Sequence, residues 1–215
     1  MKVILAGQKS FGATAFDNIR NAGHDIVQVF APMGDALAFR ADQKAVPVEH
    51  EMTADRVMEG ADLIVCAHSH VFVSSRSRDR TVLGAIGYHP SLLPRHRGRD
   101  AVKWTIRMGD PVAGGSVYWL NDRVDGGPIA AQDWCHVDPR WDHSDLWREE
   151  LFPMGQRLLV QVLADLEKRT VVRIPQAEAC ATWEPALDVQ RLHRPDLLQL
   201  PAPGAEFGYH VVTSR

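Results

Sequence analysis

The chain has 215 residues, with 24 Lys+Arg against 27 Asp+Glu and 45% hydrophobic residues. That suits one folded domain, with or without an appendage, and excludes a disordered polyelectrolyte. A net charge of −3 and a pI of about 6.4 exclude nucleic-acid binding by bulk positive charge, though not by a local basic patch.

In chain order, residues 2–6 form an apolar run ending at Gly7, the pattern of a buried parallel strand. A turn over residues 7–12 and a helix over 13–22 follow, with Gly23 as its stop and Phe16 and Ile19 on one side. Residues 26–30 read as a second strand, completing a βαβ opening. A helix over 35–45 and strands at 62–66 and 85–88 come next. A helix over 100–108 and strands at 115–120 and 129–134 complete the middle of the chain. Residues 143–168 carry the longest helical period, through Leu146, Leu151, Met154, Leu158, Leu159, Val162 and Leu166, with a kink or break expected at Pro153. Prolines punctuate the chain after residue 175, so 176–215 is read as an extended appendage wrapping the domain. The fold class is α/β, a parallel-rich sheet with helices on both faces.

Cys66, Cys135 and Cys180 are widely spaced and form no CxxC pair. A disulfide framework or zinc ribbon is not expected, and a reducing compartment is. No apolar run is long enough to span a membrane. The opening seven residues turn polar too soon for a signal peptide, so a cytoplasmic location is expected.

Four stretches could carry chemistry. Gly7-Gln8-Lys9-Ser10 stands between a strand and a helix, where free N–H groups attract anions; from these residues alone a plain βα turn is the favoured reading. His68 and His70 follow a strand end, and loop histidines or cleft lining are equally good readings. The ten histidines show no familiar metal-ligand spacing, so no metal is expected. In Tyr88-His89-Pro90-Ser91-Leu92-Leu93-Pro94, proline pins the histidine at a strand's carboxyl end, where it can move protons. In Val124-Asp125-Gly126-Gly127-Pro128, an aspartate has glycine freedom beside it. On spacing alone it reads as a turn residue, although a carboxylate near His89 would orient its ring.

Taken together, these stretches resemble the folate-dependent formyltransferase family. The resemblance rests on His89-Pro90-Ser91-Leu92-Leu93-Pro94, Arg97-Gly98, Gly109-Asp110 and Val124 to Ile129. It is strongest toward the hydrolase domain of formyltetrahydrofolate dehydrogenase, through Tyr88-His89-Pro90, Arg95-His96-Arg97-Gly98, Leu151-Phe152-Pro153 and Ala181-Thr182-Trp183-Glu184. It implies a Rossmann-like fold over residues 1–187, with 188–215 as the extended C-terminal appendage. It implies 10-formyltetrahydrofolate as formyl donor, His89 and Asp125 as catalytic residues, and a pterin held by Phe72, Val73, Asn121 and Val124, largely through backbone groups. Gly7, Gln8, Lys9 and Ser10 would face the acceptor. Most transferases of this family carry Asn where this chain has Gly87, and Tyr118 is the polar group that could serve instead.

The function so implied is formyl transfer to an amine of a small-molecule acceptor. The alternatives are hydrolysis of 10-formyltetrahydrofolate and folate binding without turnover. Neither tRNA nor an NADP-dependent step is expected. The arginines at 76, 78 and 80, and at 95, 97 and 99, read as solvated loops or phosphate binders. Trp141, Trp147 and Phe152 read as core, with the face of a homodimer as the alternative.

Overall fold

The computed structural model describes residues 1–187; the appendage expected over 188–215 lies outside them. A seven-stranded sheet is built from β1 (Lys2–Gly7), β2 (Asp25–Phe30), β3 (Val48–Glu49), β4 (Leu63–Ala67), β5 (Ala85–His89), β6 (Val112–Trp119) and β7 (Ile129–His136), in the order β3-β2-β1-β4-β5-β6-β7. The first five strands are parallel. β6 and β7 join antiparallel, as a hairpin on the β5 side.

Strand alternation divides the core into two unequal parts. Val3, Leu5, Leu63, Val65, Ile86 and Val117 face a large cluster under α1 (Lys9–Asn21), α2 (Ala36–Asp42) and α6 (Phe152–Glu167). Ile4, Ala6, Ile64, Cys66 and Ala85 face a much smaller cluster with Phe30, Val57, Ala61 and Val73. Over that face lie only short elements, the turn Ala54–Arg56 and α3 (Ser75–Arg78). By the same alternation Gly87 and His89 project toward the thinly covered face. Helices do lie on both sides, but very unequally.

Two expected elements differ. The first helix begins at Lys9, not residue 13, so the open turn shrinks to Gly7-Gln8. The reason is a cap from elsewhere in the chain, the Asp35 carboxylate, which receives the Lys9 N–H. The long helix is three pieces: α5 (His143–Leu146), a π-turn at Trp147–Leu151, and α6. Pro153 has no N–H for the Glu149 carbonyl, and the chain answers by widening one turn before it. Trp141, Trp147 and Phe152 pack against the large core cluster, as expected of core residues.

Tyr88 explains why β5 and α6 meet so closely. Its ring stacks on Phe11 at 5.4 Å, and its hydroxyl donates to the Leu151 carbonyl at 2.7 Å. It passes between Gly115 and Gly155, where an added Cβ would lie 2.3 and 2.4 Å from its atoms. Tyr88 is therefore an anchor on the face opposite His89, although the two are neighbours in sequence.

Candidate active site

His89 ends β5 and is buried. Its Nε2 lies 2.7 Å from the His96 carbonyl oxygen. A carbonyl only accepts, so Nε2 carries a proton and Nδ1 is the working nitrogen. Nδ1 lies 3.6 Å from Asp125 Oδ2, near enough for an ion pair when the ring is charged and too long for a good hydrogen bond.

Asp125 sits in the β6–β7 loop with φ +47°. Oδ2 accepts from the Gly98 N–H at 2.7 Å, and Oδ1 accepts from the Tyr118 hydroxyl at 2.5 Å. Burial pushes its carboxyl upward, but His89, the Tyr118 hydroxyl, the Gly98 N–H and Arg97 together hold it below its ordinary value. Asp125 is thus a carboxylate throughout the neutral range. Burial, reinforced by Asp125, raises the Tyr118 phenol well above its ordinary value, so it stays a donor.

Gly87 and Tyr118 are cross-strand partners. A Cβ on Gly87 would stand 3.1 Å from Leu120 Cδ1 and 3.6 Å from Tyr118 Cε1. Leu120 thus crowds the space that a side chain at position 87 would use, and the phenol is in ordinary contact with it.

The two loops carrying His89 and Asp125 are fastened by residues for which no such role was read from the sequence. Ser116, paired with His89 across the strands, donates to the Ser91 carbonyl at 2.6 Å and accepts from the Leu93 N–H at 3.1 Å. His96 is buried between Asp110 Oδ2 at 2.9 Å and Glu184 Oε2 at 3.0 Å. Asp110 also grips Arg95 through two 2.7 Å bonds. The segment after α6 returns across the site. Gln176 Nε2 donates to the Asp125 and Gly127 carbonyls, both at 2.7 Å, and its Oε1 accepts from Arg97 at 2.6 Å. Arg97 also pairs with Glu178, and its N–H reaches the Thr182 carbonyl. Both arginines therefore hold the fold together and do not stand ready as phosphate binders.

Beside this pair lie the residues expected to hold a pterin. Phe72 and Val124 are 67% and 63% exposed. Val73 is buried in the smaller core, so only its backbone can meet a ligand. Asn121 spends its amide locally, donating to the Gly126 carbonyl and accepting from the Arg123 N–H. Arg78 joins the two loops, donating to the Val73 carbonyl at 2.6 Å and to Asp122 Oδ1 at 2.6 Å. Exposed apolar side chains thus stand on two loops that Arg78 braces together.

On the far side of β5, His68 ends β4 with its ring 5.9 Å from Trp147 and 5.7 Å from His70. Burial, then Lys9, suppresses its charge. Gln8 and Lys9 stand at the start of α1, with Asp35 upon it. Among the described residues, five of the seven non-glycine residues with positive φ (Lys9, His68, His96, Asp100 and Asp125) lie around this one end of the sheet. Strained backbone gathers where function is built.

Residues 1–163 match the formyl transferase family. The mitochondrial 10-formyltetrahydrofolate dehydrogenase of Homo sapiens aligns at 36% identity over 201 residues, 86% of this chain and 22% of that protein. This chain thus spans about a fifth of that relative. A methionyl-tRNA formyltransferase from Acidobacterium capsulatum aligns at 29% over 210 residues, 87% of this chain and 66% of that one. Glycinamide ribonucleotide transformylase 1 from Symbiobacterium toebii superposes with TM-score 0.71 at 20% identity, covering 82% of this chain and 93% of the other. An N-formyltransferase from Helicobacter canadensis, solved with folinic acid and dTDP-3-aminofucose, gives 0.72 at 13%, covering 88% and 72%. Both structures share the fold.

Proposed function

The chain belongs to the formyl transferase family, and from that premise we propose that it moves the formyl group of 10-formyltetrahydrofolate to an amine of a small acceptor, with His89 and Asp125 as the catalytic pair. The observation that carries this reading is the 3.6 Å approach of His89 Nδ1 to the partly buried Asp125 carboxylate, whose neighbours hold it ionised.

When bound, the folate supplies an activated formyl group on N10, which passes to the acceptor nitrogen while tetrahydrofolate leaves. Phe72 and Val124 would hold the pterin, together with backbone groups of residues 71–73 and 121–125. His89 Nδ1 takes the proton that the attacking amine must lose, and the imidazolium so formed pairs with Asp125. That positive ring faces the oxygen on which charge builds. The same proton then returns from His89 to N10, so His89 ends as it began. Asp125 keeps its charge throughout, and the Tyr118 and Gly98 bonds hold it in place.

Water is the second reading for the acceptor, with formate as product. It is favoured by the start of α1, where a carboxylate of the protein itself occupies the position an anionic acceptor group would seek.

The test follows tetrahydrofolate release from 10-formyltetrahydrofolate, with and without a panel of amines. Amine-dependent release supports transfer, and release without amine supports hydrolysis. His89→Asn and Asp125→Asn should each lower turnover by roughly 10²–10⁴-fold while the protein stays folded. Full activity in both variants would end the assignment of the pair.

A further inference from the structure

The N-terminus of α1 stands on the same sheet end as His89. Gly7 is level with Ala67 on β4, and Cys66 with Gly87 on β5. Two strand spacings, about 10 Å, separate the helix start from the β5 end. A group held at α1 would therefore reach the reacting centre through a small acceptor. Free N–H groups and the helix dipole make such a position attractive to phosphate or carboxylate.

Here a carboxylate of the protein already stands at the first of those N–H groups. The Lys9 N–H donates to Asp35 Oδ1 and Oδ2, both at 2.9 Å. Oδ1 also accepts from the Leu37 N–H at 2.8 Å, which makes Asp35 the cap of α2 as well. Helix α1 has no cap of its own, because the Gln8 side chain makes no capping bond and the first turn holds no acidic residue. One carboxylate, arriving from the loop after β2, serves two helix starts at once. Two short backbone bonds from different elements fix it there. His68, whose charge is suppressed, adds no compensating cation beside it.

We propose that Asp35 is a built-in anion that sets the acceptor class: this protein's formyl acceptor is water or a neutral or cationic amine, and not one anchored by a phosphate or carboxylate at the start of α1. The inference rests on the formyl-transfer reading above and names the acceptor within it. Any acceptor anion seated there must either displace Asp35 or lie against it, and both options weaken binding.

Inorganic phosphate is the probe. Its binding is followed through the backbone amide signals of Lys9 and Leu37 and through thermal stabilisation, in the wild type, Asp35→Gly and Asp35→Asn. The glycine variant empties the position. The asparagine variant removes the charge but keeps a residue that caps α2 well, which guards against loss of folding. The wild type should show no phosphate-dependent shift at Lys9. The variants should gain phosphate affinity there by about tenfold or more. Phosphate binding at Lys9 in the wild type as tight as in the variants would overturn the proposal, and so would no gain in either folded variant. Preferred use by the wild type of a phosphate-bearing amine over its dephosphorylated form would also overturn it. The phosphate readout needs no turnover. A wild type that releases no tetrahydrofolate would instead refute the catalytic reading.

Discussion

Replacing Tyr118 with Phe removes one oxygen and leaves the ring in place beside Gly87. The lost hydroxyl donates to Asp125 Oδ1 at 2.5 Å, and Asp125 is otherwise held at Oδ2 by the Gly98 N–H. A hydrogen bond to a charged group contributes ~1.5–3 kcal/mol. Felt wholly at the transition state, that is a fall of roughly 10- to 150-fold in kcat/KM. The pH dependence of stability should change as well. Tyr118 is one of the groups that offset burial and hold the Asp125 carboxyl low, so its loss lets that carboxyl rise. The contribution of Asp125 is present above its unfolded value of about 3.9 and is lost as pH falls through the lowered folded value. The stability gap between wild type and Tyr118→Phe should be full at neutral pH and close in acid. Rates with 10-formyltetrahydrofolate at neutral pH and denaturant melts at both pH values check this. Wild-type kcat/KM would refute the role given to Tyr118. A loss well beyond the ceiling would show the hydroxyl acting directly on the reacting oxygen.

Gly155→Ala places a Cβ 2.4 Å from a ring carbon of Tyr88, itself stacked on Phe11. Overpacking there should cost ~1–3 kcal/mol, a drop of roughly 2–4 °C in Tm per kcal/mol, and an unchanged melt would contradict the Tyr88 anchor. Glu184→Gln leaves His96 with one carboxylate partner, while the His96 carbonyl still orients His89. A shifted ring should lower kcat about 10- to 100-fold with KM little changed; a pure KM effect would place Glu184 in binding. Cys66 is buried, with its thiol pushed up to about 12, while Cys180 is exposed. Iodoacetamide at mildly alkaline pH should label Cys180 in the native protein and Cys66 only after unfolding, as peptide mass spectrometry would show.

The parallel half of the sheet was legible because buried strands such as 3–6 and 26–30 are short, largely apolar runs, broken only by Gln28 and followed by Gly7 or Pro32. The early start of α1 was not, because its cap is Asp35, a residue beyond the next strand. Pro153 announced a break in the long helix but not its form; a widened turn ending in a carbonyl that receives the Tyr88 hydroxyl is a tertiary outcome. His89 could be singled out from its place before Pro90. Asp125 could not be told from a turn aspartate without the family resemblance, since its partners Tyr118, Gly98 and Gln176 come from three other segments. Tyr88 stands in the stretch that drew most attention, and strand alternation turns it away from the site. Ser116 and Gln176 carry no local pattern at all, and only their contacts reveal them.

The segment that crosses the site after α6 has a consequence for the order of events during synthesis. All seven strands are made once His136 has emerged, and the large core can then begin to close around them. Gln176, which fastens the Asp125 and Gly127 carbonyls, and Glu184, which faces His96, are translated only afterwards. The growing chain therefore gains a folded body before the loops of the candidate site are fastened, and the segment after α6 sets the moment at which they are.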